Sequence, residues 1–283
     1  MARSLQMTTW KSFLTRAISA LVALAIIIGL YFYMGVNGIK ILISLAVAVG
    51  SWELVGILFK KESSWFLKIS FMVLTLVTFG LTSVALNLGI FVFALAVVLL
   101  CILSLLTLHK KGDLPRIADF QAKSVLGLVY LGLFPAFVFR LLEVMQGLSW
   151  FIFLLAVVFA GDTMAYVFGV LIGKHKVMPS VSPKKTWQGS IGGIIGSVIA
   201  GFICWNYLLN NYPVGFILGL AAVSGFVGQF GDFFESLLKR IADVKDSGKI
   251  MPGHGGVLDR IDGVLFASPV IFFGVVILSH LLS

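Results

Sequence analysis

The chain has 283 residues, 59% of them hydrophobic and only 12% charged, with a mean hydropathy of +1.07. An ordinary soluble domain carries about 25% charged residues, so a water-soluble globule is excluded, and with it a disordered chain, a collagen or a disulfide scaffold; the two cysteines, Cys101 and Cys204, lie in apolar runs and read as unpaired buried residues. A net charge of +9 raises nucleic acid as a partner, but the distribution of that charge follows a membrane instead.

A bilayer-spanning helix needs about 20 mostly apolar residues. Nine such runs follow one another at 17–34, 41–59, 66–85, 88–108, 122–141, 150–171, 189–209, 214–238 and 264–282. The expected fold is therefore all-α and polytopic, with about nine transmembrane helices. The first run follows Arg3, Lys11 and Arg16 as a signal peptide would, yet no small-residue cleavage site separates it from the second, so it reads as a retained helix. The thinnest break is at Asn87 and Gly89, inside the apolar stretch 66–108. The N-terminal segment and the loops after the second, fourth, sixth and eighth spans, with their helix ends, hold 3, 3, 4, 4 and 5 Lys/Arg, 19 of the 21, leaving Lys40 and Arg140 on the other side. By the positive-inside rule the N-terminus is cytoplasmic and the C-terminus outside.

Residues 1–148, about five spans, carry little polar chemistry and read as a scaffold. Glu53 in the second span is the exception: an ionisable group at that depth is costly enough to mark a functional candidate, or else a protonated carboxyl bonded to a neighbouring helix. Glu62, in the loop that follows, reads as a surface acid. In residues 149–283, four further spans with cytoplasmic loops, the polar residues concentrate. The sixth span contains Gly161-Asp162-Thr163 and exits through Gly173-Lys174-His175-Lys176; the next loop runs Ser180-Val181-Ser182-Pro183-Lys184-Lys185-Thr186-Trp187-Gln188-Gly189. Amides freed at a Ser-Pro turn, two ammonium groups and the start of a helix suit phosphate oxygens, although a lysine pair beside a membrane is usually only a topology signal. The seventh span opens with Gly189, Gly192, Gly193 and Gly196, small-xxx-small pairs that admit another backbone from the same chain or from a second protomer, which leaves a homodimer open.

The eighth span ends in a stripe. Asp232, Ser236, Lys239, Asp243 and Asp246 are separated by steps of 4, 3, 4 and 3, which places all five on one face of a continuing α-helix, with Glu235 and Arg240 beside them. Then come Lys245-Asp246-Ser247-Gly248, Pro252-Gly253-His254-Gly255-Gly256 and Leu258-Asp259-Arg260-Ile261-Asp262-Gly263. The glycines permit a tight turn around His254, and Asp259 and Asp262 share one side of a helical turn. So many aspartates among lysines and arginines repel one another unless a hard cation relieves them, and Mg²⁺ takes one or two carboxylates together with waters and phosphate oxygens. There is no Cys/His cluster for zinc, so His254 reads as a hydrogen-bond donor or acid.

The stretch SLLKRIADVKDSGKIMPGHGGVLDRID, Ser236 to Asp262, resembles the motif of the phosphatidate cytidylyltransferase (CDP-diacylglycerol synthase) family, with its Ser, Lys-Arg, Lys-Asp, His-Gly-Gly and Asp-Arg-x-Asp elements at fixed distances. VSPKKTWQGSIGG and GDTMAY also resemble family segments, so the similarity covers about 155–265. The resemblance implies an enzyme of the bacterial inner membrane, its active site facing the cytoplasm, that condenses CTP with phosphatidic acid to CDP-diacylglycerol and pyrophosphate with Mg²⁺, through a metal-pair site. It assigns Asp246 to metal binding, with Asp232, Asp259 and Asp262 as further ligands directly or through water. Lys239, Arg240, Lys245, Arg260 and the Lys184/Lys185 pair become phosphate contacts; Ser182, Thr186 and Ser236 bind substrate; His254 bonds or protonates a phosphate oxygen, with Gly255 and Gly256 allowing close approach. Two other classes share part of this pattern. A secondary transporter would also bury Glu53, Asp162 and Asp232 but has no use for the long basic-acidic motif, and a CDP-alcohol phosphotransferase would show an Asp-Gly-x-x-Ala-Arg pattern that is absent.

Overall fold

A computed structural model describes residue 22 and residues 25–62, 64–109, 114–250 and 255–282. Arg3, Lys11, Arg16, Lys111, His254 and Ser283 lie outside the described residues. A short apolar helix, α1 (Ala25–Met34), holds the described part of the first expected span. Eight helices long and apolar enough to cross a membrane follow: α2 (Val36–Leu58), α3 (Trp65–Val84), α4 (Leu86–Leu108), α5 (Leu114–Leu141), α6 (Gly147–Ile172), α7 (Trp187–Leu208), α8 (Val214–Ile241) and α9 (Leu258–Leu282). Each coincides with an expected span, shifted by a few residues. The largest shift is at α5, which starts at Leu114 because its amphipathic first turns continue the helix beyond the apolar run. The break in 66–108 is real and falls at Ala85, whose extended backbone (φ −150, ψ 129) separates α3 from α4.

Hydrocarbon offers no hydrogen bonds, so polar groups within the spans must be satisfied by the chain. The Thr75, Thr82 and Ser83 hydroxyls bond back to the carbonyls of Phe71, Thr78 and Phe79 at 2.6–2.8 Å. The two prolines inside spans are handled differently. Pro135 cannot donate to the ladder of α5, and the turn before it, Leu128–Leu133, widens to a π-helix in which Phe134 N donates to Val129 O, five residues back. In α9, Pro269 cannot serve the Leu265 carbonyl; the Ser268 hydroxyl lies 2.9 Å from that oxygen and 2.8 Å from Phe134 O on α5.

Two clusters of buried side chains hold the bundle. One centres on Trp150, Phe153, Val157, Ile217, Ala221 and Ile271. The other centres on Leu54, Phe71, Leu100, Phe120, Leu131 and Leu258. Helix α9 contributes to both, so the scaffold segment and the motif-bearing segment share their core. The cationic residues separate by end. Lys60 reaches the Ala242 carbonyl, Arg116 pairs with Glu62, Arg240 reaches Val181 O and Lys185 pairs with Asp232, so the loops after α2, α4, α6 and α8 meet at one end. At the other end Lys40 pairs with Glu143 and Arg140 donates to Val84 O. Glu62, expected on the surface, is 8% exposed, because its carboxylate takes two guanidinium hydrogen bonds from Arg116 at 2.8 and 3.0 Å.

The glycine face of α7 is used within the chain. Gly192 lies against the Phe168 ring, Gly196 against Met164 and Gly193 against Ala165, all on α6. Ser197 donates across to Val157 O at 2.9 Å. Gly192→Leu would drive four carbons into Phe168, and overpacking of this kind costs about 1–3 kcal/mol. The variant is expected to melt at lower temperature in detergent than Gly219→Leu, whose site on α8 is open; equal melting of the two would refute the packing role.

Candidate functional site

The basic end of the bundle encloses a cavity of about 690 Å³ between α6, α7, α8 and the first turns of α9. Its wall is built by steps of three and four on α8. Gln229, Asp232, Glu235 and Lys239 line it, and Ser236 lies behind Asp232 and donates to its Oδ1 at 3.2 Å. The small residues Gly228 and Gly231 let α9 cross α8 at Asp262 and Gly263 with almost no separation, which carries Asp259 and Asp262 into the same wall.

The expected stripe stops earlier than a straight helix predicts. Helix α8 ends at Ile241, where Val244 N and Ala242 N bond back to Lys239 O and Leu238 O, and Asp243 takes a left-handed conformation (φ 52). Short polar residues tolerate that conformation, and it ends helices. The Lys60 ammonium, from the segment after α2, sits on the freed carbonyls of Ala242 and Asp243 at 2.9 and 3.4 Å, where a helix C-terminus attracts positive charge. Asp243 is thereby turned out of the face, while Asp246 returns to the cavity on the following loop.

Charge inside the cavity is arranged in pairs. Lys185 Nζ lies 2.5 Å from Asp232 Oδ2 and 4.3 Å above the Phe233 ring. Lys239 Nζ lies 2.5 Å from Asp259 Oδ1 and 3.3 Å from Glu235 Oε2, whose side chain is 1% exposed. Asp259 is further engaged: its Oδ2 accepts from Ser247 N at 2.9 Å, Ser247 Oγ at 2.8 Å and Gly256 N at 2.8 Å. Gly255, next to it, has φ +83, a conformation that favours glycine. Asp162, Asp246 and Asp262 line the same space and make no ion pair among the described residues.

Of the residues singled out from the sequence, Lys184, Lys185, Thr186, Asp232, Lys239, Asp246, Asp259, Arg260 and Asp262 meet at this cavity. Thr186 has a second task, as its hydroxyl caps α7 by accepting from Gly189 N at 3.2 Å. Ser182 stands in the turn before the lysines, with its amide on Met178 O and its carbonyl on Lys185 N. Arg240 points to that turn, 3.4 Å from Val181 O. Lys245 is exposed on the loop, Ser236 and the Gly255/Gly256 pair pack behind the wall, and His254 lies outside the described residues. Sequence reasoning passed over Gln229 and Tyr166. Gln229 stands three residues before Asp232 and so extends the stripe by one turn, with its amide held on Ser190 O at 3.0 Å. Nothing in the sequence singles out Tyr166, which comes in on α6 one turn beyond Asp162.

No three His, Cys, Asp or Glu side chains among the described residues converge into a protein-only metal cage. Mg²⁺ typically takes one or two carboxylates from a protein and the rest of its shell from water and phosphate. Asp162, Asp246 and Asp262 are placed to offer such carboxylates, as is Asp232 on release of Lys185, while Asp259 already accepts four hydrogen bonds. For an incoming polyanion, Lys176, Lys184, Lys185 and Arg260 line the same cavity.

Residues 14–278 match the profile described as the cytidylyltransferase family. Among curated relatives, the phosphatidate cytidylyltransferase of Staphylococcus saprophyticus is 43% identical over 126 residues, 44% of this chain and 48% of that protein. Those of Staphylococcus aureus (strain COL) and Staphylococcus haemolyticus are 42% and 43% identical over the same length and shares. The aligned stretch thus spans about half the length of the curated relatives.

The pairing around Lys239 makes a stability prediction. Lys239→Met leaves Glu235 and Asp259 buried without their cation, and breaking a buried pair costs about 3–5 kcal/mol. Lys123→Met, which removes an i,i+4 pair to the 59%-exposed Asp119, costs about 0.3–0.5 kcal/mol. Thermal unfolding in one detergent should separate the two clearly; a Lys239→Met melt as mild as the control would contradict the burial argument.

Proposed function

The chain belongs to the cytidylyltransferase family, and from that footing we propose that it transfers a cytidylyl group from CTP to phosphatidic acid, giving CDP-diacylglycerol and pyrophosphate, at the cytoplasmic face of a bacterial membrane. The observation that carries this reading is the meeting of four separated segments, around Asp162, Lys184/Lys185, Asp232 and Asp246–Asp262, in one cavity at the basic end of a membrane bundle. The names of the aligned relatives supply the substrates.

The chemistry asks little of a general base. A phosphatidate oxygen, already anionic, attacks the α-phosphorus of CTP; the new P–O bond forms as the bond to the β-phosphate oxygen breaks, and pyrophosphate leaves with both electrons. The barrier lies in bringing two polyanions together and in stabilising the leaving charge, so positioning and electrostatics dominate. Lys184, Lys185, Lys176 and Arg260 are suited to hold phosphate oxygens in the cavity. Asp232, Asp246 and Asp262 are the carboxylates that would hold Mg²⁺ beside them, with Asp259 keeping Lys239 and the backbone at Ser247 and Gly256 in place. Bound there, Mg²⁺ supplies neutralisation of the phosphoryl oxygens and of the departing pyrophosphate. For Lys185 to turn to a phosphate, Asp232 must find another positive partner, so the proposal couples the lysine's release to arrival of a cation with the nucleotide.

Purified protein given labelled CTP, phosphatidic acid and Mg²⁺ should make lipid-soluble label and an equal amount of pyrophosphate, and lose both with a chelator. Release of CMP, or no lipid label, would overturn the reading. Asp246→Asn should lower turnover by roughly 10²-fold or more, since each decade corresponds to about 1.36 kcal/mol of transition-state stabilisation. Asp119→Asn, on an exposed helix face away from the cavity, should match the parent; full activity of Asp246→Asn at limiting Mg²⁺ would remove that residue from the site. For the membrane side, single cysteines in a cysteine-free background should label from the cytoplasm at position 184 and from outside at position 210, between α7 and α8. Labelling of both positions from one side would defeat the proposed topology.

A further inference from the structure

The charge at Glu53 finds its partners nearly two hundred residues away in sequence. Its side chain is carried by α2, in the scaffold segment, and the residue is 5% exposed. Its Oε1 accepts from Val257 N at 3.1 Å and its Oε2 from Leu258 N at 3.0 Å, so it caps the N-terminus of α9 from another helix. The Ser247 hydroxyl lies 3.2 Å from Oε2 and 2.8 Å from Asp259 Oδ2, bridging the two carboxylates. Two backbone amides donate to Glu53, and the Ser247 hydroxyl, which has one proton to give, lies between it and Asp259.

The glycines around it are explained by the same contact. A Cβ at Gly248 would strike the Glu53 carboxylate, and one at Gly256 would strike both that carboxylate and the Ser247 hydroxyl. Glu53 therefore occupies the inside of the loop from 247 to 258, the segment that follows Asp246 and leads into Asp259. Among the described residues of this loop, Ser247 and Gly256 bond to Asp259 and Val257 to Glu53, so the two carboxylates share the task of holding it.

We propose that Glu53 is a positioning residue for the cavity, acting through Ser247 and the α9 N-terminus to set the placement of Asp246, Asp259 and, through Asp259, Lys239. The inference rests on the cytidylyltransferase reading for its activity readout. It attributes to the scaffold segment a part in the reaction without contact to substrate. Groups that orient the residues holding an ion typically matter by about 10- to 100-fold when removed.

The test uses the full-length protein in detergent with three variants: Glu53→Gln, Ser247→Ala and the two together. Hydrogen exchange at the amides of Val257 and Leu258 reads the tether, and turnover per folded molecule with CTP, phosphatidic acid and Mg²⁺ reads its consequence. The expected result is faster exchange at both amides in Glu53→Gln, a loss of roughly 10- to 100-fold in kcat and a smaller change in KM for CTP. The double variant should be no slower than the slower single one, because both changes break the same relay. If Glu53→Gln does not fold, Ser247→Ala still decides, since its half-buried loop position tolerates the loss of a hydroxyl while the side-chain link between Glu53 and Asp259 is removed and the amide bond to Asp259 stays. Unchanged turnover in the folded variants, unchanged exchange at 257 and 258, or losses that multiply in full would each overturn the positioning role. Absence of product from the parent protein would overturn the cytidylyltransferase reading and the positioning role with it, whereas an active parent beside equally active variants overturns the positioning role alone.

Discussion

Asp259 accepts four hydrogen bonds on two oxygens, and the geometry of the cavity follows from that engagement. One donor is an ammonium from α8, two are backbone amides from the loop between α8 and α9, and one is a hydroxyl shared with Glu53 of α2. A carboxylate near the edge of a membrane must be solvated by something, and here the chain supplies the solvation itself. The consequence is that α2, α8, α9 and their loop are fixed relative to one another by one side chain. The bonds to Asp259 add to the close crossing of α8 and α9 at Gly228, Gly231 and Gly263.

The other carboxylates occupy a different condition. Glu235 is enclosed and leans on Lys239, and Asp232 is held by Lys185, whereas Asp162, Asp246 and Asp262 face the cavity without a lysine. Glu235 and Asp259 thus help to hold the wall together, Asp162, Asp246 and Asp262 are the acids proposed for a cation, and Asp232 would join them only on release of Lys185. This division also accounts for the number of lysines: Lys239 is structural, Lys184 and Lys176 face the cavity, and Lys185 stands between the two roles.

Much of this was legible in the sequence, for identifiable reasons. The spans could be read because hydrocarbon demands long apolar runs, and the sorting of cations to one end because Lys and Arg are strongly biased in membrane proteins. The residues from Ser236 to Asp262 could be assigned to one site because their spacing is itself the motif. What could not be read depends on partners distant in the chain. Glu53 showed only as an expensive carboxylate, since no local periodicity points to amides at 257 and 258. Glu62 looked like a surface acid because Arg116, 54 residues on, is invisible to a local window. The helical stripe was drawn through Asp243 because the pattern of threes and fours continued, while the helix itself ended where Lys60 covers its carbonyls. The glycines of the motif were read as room for substrate, and the structure shows Gly256 making room for Glu53 and Ser247.

The π turn in α5 has a bearing on how the chain length itself can vary. Between Leu128 and Leu133 the helix carries one more residue per turn than its neighbours, with Phe134 N reaching back to Val129 O. Losing a residue from an ordinary helical span turns everything beyond it by about 100° and exchanges lipid-facing for core-facing side chains. Losing one from this turn lets the hydrogen bonds close to the α pattern with both flanks left in place. It is thus the point in the span where a shorter homologue can differ in length by one residue without repacking the bundle. The side chain most affected is Tyr130, whose ring sits between Phe234 of α8 and Phe266 of α9, directly behind the acidic wall. The aromatic packing around Tyr130 therefore lies at a turn where such a change can close locally.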